Sequence, residues 1–259
     1  MKSEKITFSI AKRSVIGDRE YQQDKAKFKK TGDRAAAVLC DGMGGKEGGA
    51  AASQMAAHYF IKDMVDVAYD EHLPGKLCKE MDRLDEKVLR IKDKTGRLLS
   101  AGTTLAAVMI EGNRLWHVSV GDSRIYLLRE EELTCLTVDH NYELVLREYQ
   151  AKGYISQEEL AESLQDSRSQ SLISYLGLGK KKIIDKNEVP LEMKEGDKII
   201  ICSDGLYKSL YESQIKAIAS EEYERIDEIA DRLVRVAESC SVNDQDNTTV
   251  MVIDFYKER

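Results

Sequence analysis

Apolar residues along this chain follow two rhythms, and the places where one gives way to the other mark its elements. Compact runs open the sequence: Ile6–Ala11, then Ala35–Cys40, which stops at the turn signal Asp41-Gly42. Glycines crowd Met43 to Gly49 and predict a flexible loop, after which Ala50 to Val67 is rich in helix formers, with Met55, Tyr59 and Val65 among its apolar positions. From Leu73 to about Lys94 the rhythm is helical. Leu77, Met81, Leu84, Val88 and Ile91 recur at three- and four-residue steps, so one face is core.

Short strands follow: Thr103–Ile110, a turn at Glu111-Gly112-Asn113, Leu115–Val120, a turn at Gly121-Asp122, Arg124–Leu128 and Leu133–Val138. Turns this short leave no room for crossover helices, so the strands are expected to form an antiparallel meander. Asn141 to about Ser174 reads as amphipathic helix interrupted near Gly153, with Ser156-x-x-Glu159 as a capping box, and the stretch to Asn187 reads as basic loop. Lys198–Cys202 is a strand ending at Asp204-Gly205, Ser213–Ala219 and Arg225–Ser239 are helices, and Thr248–Phe255 is a last strand. Antiparallel strands with helices in separated pairs predict sheets layered against each other and covered by helices.

Composition narrows the class. The chain has 259 residues, enough for a substantial core in one domain, and its 42% hydrophobic and 33% charged residues are a soluble globular balance. A net charge of −7 argues against a nucleic-acid or anionic-membrane partner, and the apolar runs fall far short of the roughly 20 residues that span a bilayer. Met1-Lys2-Ser3-Glu4-Lys5 leads into a mixed segment without the apolar core and cleavage site of a secretory signal, which predicts a cytoplasmic protein. The five scattered cysteines lack a Cys-x-x-Cys pair and are expected to be reduced and mostly buried.

Four aspartates share one local context. Asp41, Asp122 and Asp204 follow strands, and Asp246 stands just before one. Each alone reads as an ordinary turn-maker. If the strand before Asp204 pairs antiparallel with the strand after Asp246, those two carboxylates come together at one rim. Carboxylates converging there repel one another unless a cation compensates them, and an all-oxygen site suits Mg²⁺ or Mn²⁺. Two such ions can acidify a water and neutralise a phosphoryl group, giving hydrolysis without a protein nucleophile.

Arg19-x-x-x-x-Asp24, Asp41-Gly42-Met43-Gly44-Gly45, Gly102-Thr103-Thr104, Gly121-Asp122-Ser123-Arg124, Ser203-Asp204-Gly205 and Asp246-Asn247-x-Thr249 occur in that order. This succession closely resembles the protein phosphatase 2C-like family over nearly the whole chain, and Leu136-Thr137-x-Asp139-His140 and Leu176-Gly177 fit its bacterial members. The resemblance implies an α+β fold, a four-layer α-β-β-α sandwich of two mainly antiparallel sheets flanked by helices. It implies one catalytic domain over residues 1–259 with a flap at about 141–187. The implied activity is hydrolysis of phosphoserine and phosphothreonine in proteins at a dinuclear centre of two Mn²⁺ or Mg²⁺ ions. Asp41 would bridge the ions, with the Gly42 carbonyl, Asp204 and Asp246 completing the ligands. Asp24 would act through metal-bound water, and Asp122 with Asp204 could hold a third ion. Arg19 would join Asp41 and Asp204 in catalysis by gripping the phosphate, whose oxygens a planar guanidinium suits. The implied partners are phosphorylated proteins made by a serine/threonine kinase, met by a monomer in a signalling role.

Three residues depart from the family pattern. Met43 stands where some members carry a histidine proton donor, and Gln23 stands where a glutamate is frequent. Lys208 replaces an aspartate of the third-metal site; there it would disfavour a third ion, face solvent, or attract the anionic substrate. The Lys180-Lys181-Lys182 run reads either as a contact for an acidic phosphoprotein or as a solvated loop. Thr103-Thr104 either help position ligands or only begin a strand.

Other chemistries fail on residues. A phosphate-cradling loop at Gly44-Gly45-Lys46 would need glycine and serine or threonine where Cys40 and Glu47 stand. A cysteine phosphatase needs an arginine six residues after its thiol, and both Cys40 and Cys202 meet a lysine there. His58, His72, His117 and His140 lack metal-ligand spacing and are expected to be structural or exposed. The alternative from another class is a catalytically weak or inactive relative that binds phosphoproteins as a regulatory module; intact Asp41, Asp204 and Asp246 argue against it.

Overall fold

A computed structural model describes residues 5–179, 182–241 and 244–257. The chain opens with β1 (Ile6–Val15), β2 (Lys25–Thr31), β3 (Arg34–Cys40) and the two-residue β4 (Gly42–Met43), followed by α1 (Gly45–Met64) and α2 (Leu73–Val88). Next come β5 (Gly102–Thr103), β6 (Leu105–Glu111), β7 (Arg114–Val120), β8 (Arg124–Arg129) and β9 (Glu132–Cys135). Then come α3 (Tyr142–Ala151), α4 (Gln157–Gln165) and a 3-10 turn at Ser167–Gln170, in the segment expected to form the flap. The last third holds β10 (Asp185–Lys186), β11 (Leu191–Glu192), β12 (Lys198–Cys202), α5 (Asp204–Tyr207), α6 (Glu212–Ser220), α7 (Ile226–Cys240) and β13 (Thr248–Lys257).

Two antiparallel sheets stack face to face. One has the order β1-β13-β12-β8-β9, the other β10-β7-β6-β3-β2 with β11 also on β7. Strand β3 shows how the layers arise: Ala35, Ala37 and Leu39 face the opposing sheet, where Phe8, Ile201 and Phe255 pack, while Ala36, Val38 and Cys40 face α1 and α2. The other sheet turns Ile200, Val250 and Val252 towards Ile215, Leu233 and Val234 of α6 and α7. Central strands are therefore covered on both faces and read as continuous apolar runs rather than alternating ones. The result is the four-layer α-β-β-α sandwich.

Several expected elements change on folding. The meander is divided, because β7 ends in one sheet and β8 pairs with β12 and β9 in the other, so Gly121-Asp122 is a bridge between sheets and not a hairpin turn. The glycine-rich stretch is not a flexible loop: Gly44 takes φ 109° and the helix begins at Gly45. Gly48 and Gly49 belong to this helix, and a Cβ on Gly49 would lie 2.8 Å from the Gly42 carbonyl, so the glycines serve close packing. The helix expected to reach Lys94 stops at Val88, and Ile91 is buried from a loop closed by a Lys92–Leu98 bridge. Strand β1 extends beyond Ala11, β9 stops at Cys135 short of Val138, and Ser171–Ser174 is not helical. Strand β2 was hidden by its lysines, which suit a sheet edge. The expected capping box at Ser156 and Glu159 forms. The five cysteines are free, but only Cys40 and Cys202 are buried; Cys78 and Cys135 are half-buried and Cys240 is exposed. Among the described residues no helix is long and apolar enough to cross a membrane.

Ile201 is fully buried between the sheets on the strand that delivers Asp204. Ile201→Ala is expected to cost about 2–5 kcal/mol in urea unfolding, whereas Lys29→Ala on the exposed edge strand should stay within about 0.5 kcal/mol.

Candidate metal centre

The rim where β3, β7, β12 and β13 terminate holds a cavity of about 500 Å³ whose walls include Asp41, Gly42, Asp122, Asp204, Asp246 and Arg19. Asp41 leaves the end of β3 with its backbone clamped. Its N–H donates to Thr104 Oγ1 at 2.9 Å, and its carbonyl accepts from Thr104 N–H and Thr103 Oγ1, each at 2.8 Å. The two threonines thus fix the direction in which Asp41 points. Gly42 follows with no room for a side chain, since a Cβ there would lie 2.1 Å from the Gly49 carbonyl.

Asp204 and Asp246 meet as the strand register dictates. β12 runs antiparallel to β13, with Cys202 opposite Val250, so the end of one lies beside the start of the other. Between them Ser203 Oγ accepts from Thr249 N–H at 2.9 Å and donates to Asp24 Oδ2 at 2.7 Å, tying Asp24 to this junction. Asn247 is a second staple: its Oδ1 accepts from Gln23 N–H at 2.7 Å, and its Nδ2 donates to the Ile16 carbonyl at 2.8 Å. Gln23 donates its side-chain amide to the Gly45 carbonyl at 2.9 Å, so it braces the glycine segment. Arg19, more than half exposed, places Nη2 2.8 Å from Asp246 Oδ2.

Asp122 enters from the bridge between sheets. Gly121, at φ 104°, donates its N–H to His140 Nδ1 at 3.1 Å, and Tyr207 Oη donates to the Asp122 carbonyl at 3.0 Å. Neighbouring Arg124 is engaged by Asp139 at 2.7 Å and lies 3.8 Å over the Tyr207 ring, so it faces away from any ligand role. Lys208, one helical turn after Asp204, sets Nζ 2.5 Å from Asp204 Oδ2.

The electrostatics of this rim are those of a cluster short of positive charge. Burial pushes the Asp24 carboxyl up to about 7; the Ser203 and Thr249 hydrogen bonds pull down, and the charges of Asp204 and Asp246 push further up. Asp122 is likewise raised to about 7 by burial and then by Asp204, against the pull of Lys208. Asp41 is driven well above the usual carboxylate range by burial and by Asp24, Asp204, Asp122 and Asp246. Burial works against the Lys208 ammonium, but Asp204, Asp122 and Asp41 outweigh it and raise its pKa.

These donors fit a hard divalent cation. The atoms offered are oxygens, and Asp24 Oδ1 and Asp204 Oδ1 are buried without a hydrogen-bond partner. Among the described residues no three His, Cys, Asp or Glu side chains form a ready-made cage, and the chain's own cations engage Asp204 and Asp246. A divalent ion would exchange with Lys208 and Arg19 for those oxygens.

Every expected site residue except Asp24 lines the cavity directly, and Asp24 stands behind it on Ser203. Ser203 and Asn247 were present in the motifs without an assigned role; their buried hydrogen bonds give them one. Gln170, Leu172 and Tyr175 from the flap also wall the cavity, and nothing in their local sequence announced it. In the lysine run, Lys180 and Lys181 lie outside the described residues, and Lys182 is buried against Asp82 at 2.7 Å, so it does not face a substrate. His117 and His140 are buried and stand outside the cavity walls.

Comparison with known proteins follows this geometry. The sequence pattern of the family described as Protein phosphatase 2C matches residues 13–246. Serine/threonine phosphatase stp of Listeria welshimeri is 28% identical over 230 residues, which span 88% of this chain and 87% of that protein. Serine/threonine protein phosphatase PstP of Mycobacterium tuberculosis is 32% identical over 220 residues, 84% of this chain but 40% of that longer protein. Among solved structures, the S. agalactiae serine/threonine phosphatase superposes with a TM-score of 0.82 at 25% identity, covering 97% of this chain and 100% of that one. The catalytic domain of PstP in complex with two manganese ions gives 0.70 at 29% identity, covering 97% and 100%.

Protonation of Asp24 and Asp122 favours the folded state, because both titrate near 7 when folded and near the ordinary carboxylate value of about 4 when unfolded. Their contribution is fully present below about pH 4 and is lost as pH rises through about 7. In chelator the melting temperature is therefore expected to fall between about pH 4 and pH 8. Asp122→Asn should flatten that fall, and Mn²⁺ should raise the melting temperature most at the alkaline end. A pH-independent melting temperature in chelator would contradict the cluster electrostatics.

Proposed function

Because this chain belongs to the protein phosphatase 2C family, we propose that Asp41, the Gly42 carbonyl, Asp204 and Asp246 hold the two divalent cations of a serine/threonine protein phosphatase. The activity is metal-dependent hydrolysis of phosphorylated proteins, as the family match and the named relatives support. One observation carries the assignment of residues: four strand-end aspartates from separate parts of the chain line a single cavity, and a buried oxygen of Asp204 is left unpartnered there. Bound divalent cations supply Lewis acidity, acidifying a water and neutralising charge on phosphoryl oxygens.

The chain's own groups do the rest. Arg19 stands at the cavity wall with an exposed guanidinium that can leave Asp246 for a phosphate, whose oxygens it matches in a planar, two-pronged contact. Asp24, held by Ser203 behind the cavity, keeps Oδ1 as a buried acceptor without a partner, through which it would hold a water at the rear of the metal site. Met43 has no proton to give the departing serine or threonine oxygen, so that proton comes from water. Lys208 brings a fixed positive charge to Asp204 and Asp122, and we therefore assign two ions, Mn²⁺ or Mg²⁺, and no third. The same contact is what favours the rival reading of a weak or inactive phosphoprotein-binding relative, since Lys208 competes for a ligand oxygen. Asp204 keeps its other oxygen unpartnered, which leaves it able to bind metal.

We take the substrates to be products of a serine/threonine kinase, met by a cytoplasmic monomer of one catalytic domain whose flap spans about 141–187, with no nucleic-acid or membrane partner. With Mn²⁺ the protein is expected to hydrolyse p-nitrophenyl phosphate and a phosphothreonine peptide. Chelator should abolish turnover, and Asp204→Ala should lower it by at least about 100-fold. A folded protein with no metal-dependent turnover would establish the binding-module reading instead. In equilibrium dialysis, the wild type is expected to retain two Mn²⁺ per chain, and Lys208→Asp more; equal retention would remove the role given to Lys208.

A further inference from the structure

Beside the catalytic cavity lies a second one of about 450 Å³, and the two share Met43, Gly44 and Tyr175 as walls. Their chemistry is opposite. The catalytic cavity carries Arg19, Lys208 and four aspartates, whereas the neighbour is walled by Met43, Leu89, Leu99, Ser100, Ala101 and Tyr175 together with three glycines, without a charged side chain. Leu89 is 43% exposed there, an apolar side chain left facing water at the edge of a charged site.

The partition between the cavities is built rather than loose. The Tyr175 ring packs against Gly102, where a Cβ would come within 2.8 Å of it. The next residue, Leu176, exchanges both backbone hydrogen bonds with Thr103, at 2.9 and 3.0 Å. Gly177, at φ 101°, packs so closely on the Ala101 carbonyl that a Cβ would approach to 2.5 Å. Buried Asp85 on α2 then accepts from the N–H groups of Gly177 and Gly179 at 2.7 and 3.2 Å, fastening the end of the flap. Tyr175 is thereby tied through Thr103 to the clamp on Asp41.

We propose that this groove receives an apolar side chain of the phosphoprotein, carried close to the phosphorylated residue in sequence. The inference rests on the phosphatase reading and adds substrate preference to it. An extended chain advances roughly 3.3 Å per residue, so a phosphoresidue in the catalytic cavity brings its neighbours past the shared wall of Met43 and Tyr175 within a residue or two. An aliphatic or aromatic side chain arriving there leaves water for an uncharged surface, and an acidic one finds no counter-charge. The groove thus selects by what flanks the phosphate, while the charged cavity selects the phosphate itself.

The test compares phosphothreonine peptides that carry leucine or aspartate on both sides of the phosphoresidue, assayed with Mn²⁺. The wild type is expected to favour the leucine peptide by about tenfold in kcat/KM, mainly through KM. Leu89→Gln, which removes apolar surface without adding charge, should reduce that ratio towards one, and Leu98→Gln, exposed on the same loop but outside the groove, should keep it. Because each ratio is internal to one preparation, a general loss of activity does not imitate the effect. Equal rates on both peptides by the wild type, or a ratio unmoved by Leu89→Gln, would overturn the groove and leave the phosphatase standing. Turnover of neither peptide would overturn both.

Discussion

Mutual repulsion among carboxylates is the constraint on which this structure turns. Burial first, and then the neighbouring carboxylates, Asp204 among them in each case, raise the cost of ionising Asp24, Asp41 and Asp122 at a single rim. A fold does not gather such groups for stability, since each buried carboxylate without a partner is unfavourable. The surrounding structure accordingly behaves as a frame that holds them against their tendency to separate. Thr103 and Thr104 fix the backbone of Asp41, Ser203 joins Asp24 to the β12–β13 junction, and Asn247 staples the N-terminal segment to the start of β13.

The two sheets make the frame stiff enough. Their shared core, with Phe8, Leu39, Ile201 and Phe255 fully buried, fixes how the rims of the sheets meet, and Gly121-Asp122 crosses from one sheet to the other at the site. Glycines then remove atoms where backbones must touch. Gly42 against Gly49 brings the start of α1 onto the aspartate rim, and Gly42 itself lines the cavity.

Charge is compensated in two registers. Lys208 and Arg19 are covalently fixed cations, each engaging one carboxylate oxygen, while a divalent ion concentrates more charge and coordinates several oxygens at once. Lys208 is placed by helical spacing alone, a turn beyond Asp204, so its charge belongs permanently to that side of the rim. Arg19 is exposed and can be exchanged, which suits a phosphate-gripping group. Beyond Met43 and Tyr175 the charged side chains end, and an uncharged surface begins in which Leu89, Leu99 and Ala101 stand beside Ser100 and glycine backbone.

Much of this was written locally. The run Lys198–Cys202 became a strand with the same bounds, the Ser156–Glu159 capping box formed, and the order of motifs named a family because each motif is a short stretch with its own backbone demands. The meeting of the Asp204 and Asp246 strand ends was expected on the condition that their two strands pair antiparallel, and they do. Local pattern misled wherever a residue answers to something distant. Strand β2 was not anticipated, since the lysines an edge tolerates leave no apolar run, the glycine stretch looked flexible because its close neighbours come from elsewhere in the chain, and Ile91 extended a helical rhythm although it is buried from a loop. Chemistry at the aspartates was therefore determined by residue type and spacing. Which sheet each strand joins, what Ser203 and Asn247 hold and that Tyr175 divides two unlike cavities were decided only by tertiary structure, because each depends on contacts between segments far apart in sequence.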